Sequence, residues 1–217
     1  MTLDLFADPP AVHSGPESLG PGAMLLRGLA APETARLLSA LESVTERAPF
    51  RCMTTPNGLR MSVAMTNCGS AGWVSGPNGY RYAHVDPHSG LAWLPMPQVY
   101  LDLAATAAAA AGFGGFTPDA CLINRYAPGT RLSLHQDKDE RDFSAPIVSV
   151  SLGLPAVFLF GGASRRERPH RIPLAHGDVV VWGGLARLRY HGVLPLKEAV
   201  HPVLGRQRIN LTFRKAL

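Results

Sequence analysis

Apolar residues recur at helical spacing in two places in this chain and at strand spacing through its second half. Leu37, Leu38, Leu41 and Val44 form the stripe of an amphipathic helix. Ala31-Pro32-Glu33 opens it, with proline in the first turn and an early acid, and Pro49 lies just beyond its end. A second helix is predicted over about 98–111, after Pro95 and Pro97 and before Gly112, and its alanines suit close packing. From Asp119 the pattern changes to short runs at 120–126, 131–137, 147–152, 156–160, 171–174, 178–182, 188–193 and 208–214, separated by turn residues. Such a series predicts a mainly β fold with flanking helices, an antiparallel two-sheet jelly roll whose mouth holds a site.

Two stretches lack either period. Residues 7–22, rich in Pro, Gly and Ser, predict an extended arm that completes an N-terminal segment over 1–22. Residues 50–95 mix repeated Gly, Pro and Asn with Trp73, Tyr80, Tyr82 and Trp93, which predicts long functional loops. No internal repeat is visible, and residues 1–217 read as a single domain.

Composition adds bounds. The 46% hydrophobic content suits one globular core, and no apolar run is long enough for a membrane. The start, Met1-Thr2-Leu3-Asp4-Leu5-Phe6, is neither basic nor continuously apolar, so no secretory or transit signal is predicted and the cytoplasm is the expected compartment. Cys52, Cys68 and Cys121 are odd in number and widely spaced, which fits reduced thiols better than a zinc knuckle. A net charge of +5 fits a polyanionic partner without specifying one.

Candidate chemistry changes the picture more. A histidine two residues before an aspartate occurs three times: His84/Asp86, His135/Asp137 and His176/Asp178. His84-Val85-Asp86-Pro87 runs into a proline and reads as loop. His176-Gly177-Asp178 precedes Val179-Val180-Val181-Trp182 and reads as the turn that opens a buried strand. His135 and Asp137 lie in alternating sequence, where side chains two apart share a face and Leu132 and Leu134 take the other. With His191 from a later strand they make two histidines and a carboxylate, the ligand set of non-heme Fe(II) oxygenases. On a strand over 208–214, Arg208, Asn210, Thr212 and Arg214 share one face and Ile209, Leu211 and Phe213 the other. The polar face reads either as solvent-facing or as a clamp for a small diacid, because a guanidinium binds carboxylate with two parallel hydrogen bonds.

His135-x-Asp137, His191, and Arg208 and Arg214 six positions apart resemble the Fe(II)/2-oxoglutarate dioxygenase pattern. The neighbouring sequence is more specific. Asn124-Arg125-Tyr126-Ala127-Pro128-Gly129, His135-Gln136-Asp137-Lys138-Asp139-Glu140, Ser149-Val150-Ser151-Leu152-Gly153, His176-Gly177-Asp178-Val179-Val180-Val181-Trp182-Gly183-Gly184 and Asn210-Leu211-Thr212-Phe213-Arg214 resemble the bacterial AlkB family of DNA-dealkylation dioxygenases. Met61-Ser62-Val63-Ala64-Met65-Thr66-Asn67-Cys68-Gly69 and Gly72-Trp73 extend the likeness, which covers roughly residues 50 to 214.

The resemblance implies the family's double-stranded β-helix (jelly roll), Fe(II) held by His135, Asp137 and His191, and 2-oxoglutarate and O2 as co-substrates. It implies Arg214 on the distal carboxylate of 2-oxoglutarate, Asn124, Tyr126 and Asn210 beside it, and Arg208 orienting neighbouring groups, Asp137 among them. Within 50–95 it implies a nucleotide-recognition lid whose Trp73, Tyr80 and Tyr82 stack on a nucleobase, with Arg51, Arg60 and Arg81 available to phosphates. Asp139 and Arg165 are further implied substrate contacts, whereas Trp93 reads as core beneath the loops. Without the resemblance, Lys138-Asp139-Glu140-Arg141-Asp142 reads as a solvated charged turn.

The implied reaction is oxidative demethylation of 1-methyladenine or 3-methylcytosine in DNA, with release of formaldehyde and decarboxylation of 2-oxoglutarate. Both lesions are cations, so a carboxylate at Asp139 and an aromatic face would favour them over neutral bases. The implied partner is alkylated DNA, single strands before double, bound by a monomer away from membranes. Two other readings stay open on the residues: the same iron core acting on RNA or another methylated substrate, and a jelly-roll binding module without redox chemistry.

Overall fold

The computed structural model describes residues 15–217, so residues 7–14 of the predicted arm lie outside it. Its strands are β1 (Pro16–Gly20), β2 (Ala23–Leu26), β3 (Ala64–Gly69), β4 (Gly72–Gly76), β5 (Gly79–Ala83), β6 (Ala120–Tyr126), β7 (Leu132–His135), β8 (Ile147–Gly153), β9 (Ala156–Phe160), β10 (His170–Leu174), β11 (Val179–Trp182), β12 (His191–Val193) and β13 (Arg208–Arg214). Its helices are α1 (Thr34–Arg47), entered through a 3-10 turn over Ala31–Glu33, and α2 (Gln98–Ala110). Seven strands pair in the order β1-β2-β11-β8-β13-β6-β3, four in the order β10-β9-β12-β7, and β4 pairs with β5 alone. This is the two-sheet jelly roll expected from the strand spacing.

Strand alternation divides the interior into two cores. Ile209, Leu211 and Phe213 of β13 and Cys121 and Ile123 of β6 face the helices, where they meet Leu37, Leu41 and Val44 of α1 and Tyr100, Leu103, Ala104 and Ala107 of α2. The opposite face of the large sheet supplies Met65, Leu122, Tyr126 and Val180 to a second core with Phe158, Phe160 and Val193 of the small sheet. The polar face of β13 therefore points between the sheets, and all seven of its residues are buried.

Several expectations need correction. Residues 50–95 are not all loop: β3 forms an edge of the large sheet, and β4 and β5 make a hairpin beside it. Ala, Asn and Gly are poor strand formers, so β3 is held by its seven-residue partner β6 and by burial rather than by propensity. The arm does not remain apart either, because β1 joins the large sheet through β2. The strand predicted over 131–137 ends at His135, and the one predicted over 188–193 begins at His191.

β12 and β7 approach closely. His191 faces His135 and Val193 faces Leu132, so the register shifts between them. A Cβ at Gly192 would come 2.7 Å from the Leu132 carbonyl oxygen and 3.1 Å from the Ser133 carbonyl carbon.

Candidate active site

A cavity of about 330 Å³ lies between the sheets. Asn124, Tyr126, His135, Asp137, His191, Arg208, Asn210 and Arg214 line its inner part, and Trp73, Tyr80, Asp139 and Arg165 its outer part.

The pairing of β7 with β12 brings His135 and His191 opposite one another, with ring centroids 4.4 Å apart. Asp137 follows just beyond β7, its Oδ1 3.7 Å from His135 Nε2 and its Oδ2 3.6 Å from His191 Nε2. One ligand atom from each of the three residues lies within 4.8 Å of the others. Backbone carbonyls orient both rings: His135 Nδ1 lies 2.8 Å from Ser133 O and His191 Nδ1 3.0 Å from Arg189 O. Each Nδ1–H donates to its carbonyl, which leaves Nε2 free to ligate. Burial, and then the neighbouring His191, push the His135 imidazole down to about 4, so it is uncharged at neutral pH. Burial alone would raise the Asp137 carboxyl, but Arg214 and His191 hold it well below the usual carboxylate range.

The two arginines of β13 differ in what they contact. Arg214 donates from Nε (3.0 Å) and Nη2 (2.7 Å) to Asp137 Oδ2, so its fork already holds a carboxylate of the protein. Arg208, 1% exposed, donates from Nη2 to Ser151 Oγ at 2.8 Å, and its Nε and Nη1 have no partner among the described residues. Its guanidinium lies 4.9 Å from the centroid of the Tyr126 ring, which fixes its plane. Asn210 is anchored through Nδ2 to Ser149 Oγ and Val150 O, and its Oδ1 accepts from Thr212 and from Asn124. A buried cation with two unused donors suits a carboxylate, and the adjoining His/Asp/His triad suits Fe(II). The donor sets therefore fit both 2-oxoglutarate and iron.

At the mouth, Trp73 and Tyr80 stack with centroids 5.4 Å apart and planes 13° from parallel. Trp73 Nε1 donates to Asp139 Oδ2 at 2.8 Å, so Asp139 faces the lid although it stands outside β7. Arg165 reaches the lining from the β9–β10 turn. Tyr82, expected on the nucleobase, is not among the lining residues, and its hydroxyl donates to Glu140 Oε1 at 2.7 Å. Arg51 is also not free for phosphate, since its guanidinium pairs with Asp86. Trp93 is core as expected, 4% exposed, with Nε1 donating to Ala83 O. His84 and His176 serve local structure, His84 at Ser70 O and His176 between Thr34 and the Gly153 N–H.

Sequence reasoning missed two kinds of residue. Asn67 in β3 accepts from Trp73 N and donates to Trp73 O, both at 3.0 Å, and so sets the entry to the lid. Gly69, Ser70 and Gly72, between the two residues, were the local signs of a turn. Glu140 and Arg187 are buried, not solvated, and pair at 3.1 Å behind Asp137. The charged turn gave no hint of this, because a guanidinium partner 47 positions away leaves no local pattern.

A profile of the 2OG-Fe(II) oxygenase superfamily matches residues 22–214. The chain is 54% identical over 214 residues to the alpha-ketoglutarate-dependent dioxygenase AlkB of Escherichia coli, covering 99% of this chain and 98% of that one. It is 55% identical over the same shares to AlkB of Salmonella typhimurium. A DNA N(6)-methyladenine demethylase of Arabidopsis thaliana, ALKBH1A, is 41% identical over 109 residues, 49% of this chain and 30% of that one. Among solved structures, "The structure of OsALKBH1" matches with a TM-score of 0.80 and 28% identity, covering 92% of this chain and 99% of that one. The chain belongs to the 2OG-Fe(II) oxygenase superfamily and is an Fe(II)- and 2-oxoglutarate-dependent dioxygenase.

Proposed function

We propose that this dioxygenase demethylates N-alkylated nucleobases in DNA, 1-methyladenine and 3-methylcytosine foremost, as a monomer in the cytoplasm that prefers single strands. One observation carries the reading: the metal triad and an Arg208 guanidinium with two unused donors share a cavity whose mouth is a stacked Trp73–Tyr80 pair beside a carboxylate. His135, Asp137 and His191 would hold Fe(II), and Arg208 with Tyr126 would hold the distal carboxylate of 2-oxoglutarate. Iron with 2-oxoglutarate supplies dioxygen activation, by which an N-methyl carbon is hydroxylated and then leaves as formaldehyde.

The chain's own residues determine what reaches that chemistry. Trp73 and Tyr80 offer ring faces to an extruded base, and Asp139 offers charge to a cationic one. Arg165 lines the cavity, and Arg166, Arg168 and Arg171 follow it in sequence; none of the four forms an ion pair among the described residues, which leaves cations for a phosphate backbone. The name of the Arabidopsis relative also points to methylated DNA. The test is formaldehyde release from single-stranded DNA carrying 3-methylcytosine, with and without 2-oxoglutarate. Release that requires 2-oxoglutarate is expected. Succinate formation without formaldehyde from any methylated DNA would remove DNA from the reading and leave RNA or another methylated substrate.

A further inference from the structure

Behind the metal triad lies a buried network that the reaction itself does not call upon. Glu140, 6% exposed, meets three elements: Tyr82 Oη donates to its Oε1 at 2.7 Å, Arg214 Nε lies 3.3 Å from the same oxygen, and Arg187 Nη2 donates to its Oε2 at 3.1 Å. Arg187, 3% exposed, also donates from Nη1 to the backbone carbonyl of Asp137 at 2.8 Å and from Nε to Ala145 O at 3.1 Å. Arg214 completes the circuit at the Asp137 carboxylate. Asp137 is thereby gripped at its backbone and at its side chain by two arginines that share one glutamate. Two cations and two anions balance, so no charge is left unpaired among them.

The same short segment also holds the lid. Trp73 on β4 and Tyr82 on β5 are direct cross-strand partners. Trp73 is tied to Asp139 and Tyr82 to Glu140, so one rung of the hairpin is fastened at both strands to consecutive residues, two and three positions after the ligand Asp137. Hydrogen bonds to an ionised carboxylate are the strong ones, and those in a dry site are stronger still. Raising the β5 side of the hairpin means withdrawing a buried hydroxyl from Glu140, which leaves that oxygen to Arg214 alone.

We infer that Tyr82, Glu140 and Arg187 are positioning residues that couple the β4–β5 lid to the metal ligand Asp137, so that lid closure and metal binding strengthen one another. Tyr82 acts through Glu140 and touches neither base nor metal. Coupling of this kind is reciprocal: if the lid contact tightens the metal site, the metal tightens the lid by the same factor. The inference rests on the metal reading of the triad and requires no particular substrate.

The test is Mn(II) binding to the metal-free full chain in the presence of 2-oxoglutarate, read from the electron paramagnetic resonance of free Mn(II). Partners of metal ligands typically change affinity by about 10–100-fold, so Tyr82→Phe, two contacts further out through Glu140, should weaken Mn(II) binding about three- to tenfold. Ser75→Ala loosens the same hairpin elsewhere, at its bond to Thr54 O, and should leave Mn(II) affinity within about twofold of wild type. Glu140→Gln should weaken binding more, and Tyr82→Phe should add nothing in the Glu140→Gln background, because both remove one path. Wild-type affinity in Tyr82→Phe, an equal loss in Ser75→Ala, or additive losses in the double variant would overturn the coupling. If Glu140→Gln fails to fold, the contrast between Tyr82→Phe and Ser75→Ala decides alone. A wild-type chain that takes up no Mn(II) would remove the metal reading and the link with it.

Discussion

The inner wall and the rim of this one cavity are built on opposite terms. The wall comes from adjacent strands of the large sheet, and Asn124, Tyr126, Arg208, Asn210, Thr212 and Arg214 are each between 1% and 6% exposed. Its unmet atoms, Arg208 Nε and Nη1 and Asn124 Oδ1, are locked in place by packing. The rim comes from a hairpin and loops, Tyr80 is 46% exposed, and the polar atoms of Trp73 and Asp139 already satisfy each other. The wall is preorganised for a fixed charged guest. The rim exchanges protein contacts for guest contacts, which favours discrimination between guests over raw affinity.

The contrast is broken most completely at the metal. Asp137→Ala should abolish iron retention while the fold survives, because Arg214 keeps Glu140 as a partner at 3.3 Å. Iron content after desalting is the measurement, and unaltered content would sink the ligand assignment. Next comes the wall cation. Arg208→Lys keeps charge but loses the fork, so apparent 2-oxoglutarate affinity should fall by about 1.5–3 kcal/mol, at least tenfold. Arg214→Lys should act chiefly on metal retention; the reverse ranking would restore Arg214 as the diacid clamp.

Rim substitutions should cost less. Trp73→Ala should weaken binding of a methylated oligonucleotide by about 1–3 kcal/mol, with 2-oxoglutarate decarboxylation in the absence of DNA little changed. Unfolding of this variant would show that Trp73 is core. Asp139→Asn should slow demethylation of 3-methylcytosine more than that of neutral 3-methylthymine, measured as a ratio of kcat/KM values. Equal losses would place lesion selection elsewhere in the pocket.

The smallest effect is one of pH. His135 is held neutral in the folded, metal-free chain down to about 4, whereas an unfolded histidine takes its proton near 6.5. The unfolded state therefore binds more protons between these values. The associated stability is present above about 6.5 and lost as pH falls toward 4. The thermal midpoint of metal-free protein should fall from pH 7 to pH 5, and less steeply in His135→Gln.

What the sequence disclosed follows the range of the interactions involved. Both helices and the strands from Ala120 onward repeat a local period, and the period survives folding. The metal triad was legible because His135 and Asp137 lie two positions apart in alternating sequence and His191 lies in a later strand-like run. That Arg214, and not Arg208, meets Asp137 was not legible, since the residues share a strand face and only the path of the chain after β7 decides it. β3 escaped because its pairing with β6 overrides weak propensity. Glu140 and Tyr82 escaped for a like reason: their meeting joins positions 58 apart.

Gly192 carries one more consequence. Two of the three metal-binding side chains hang from backbones whose spacing is set by a carbon that is not there. A methyl at this position would press on the Leu132 carbonyl, which is main chain and cannot rotate aside. Gly192→Ala would act as a wedge between the two imidazoles, spoiling iron coordination without altering a single donor atom. Any attempt to move this chemistry onto another jelly roll must copy that gap along with the ligands.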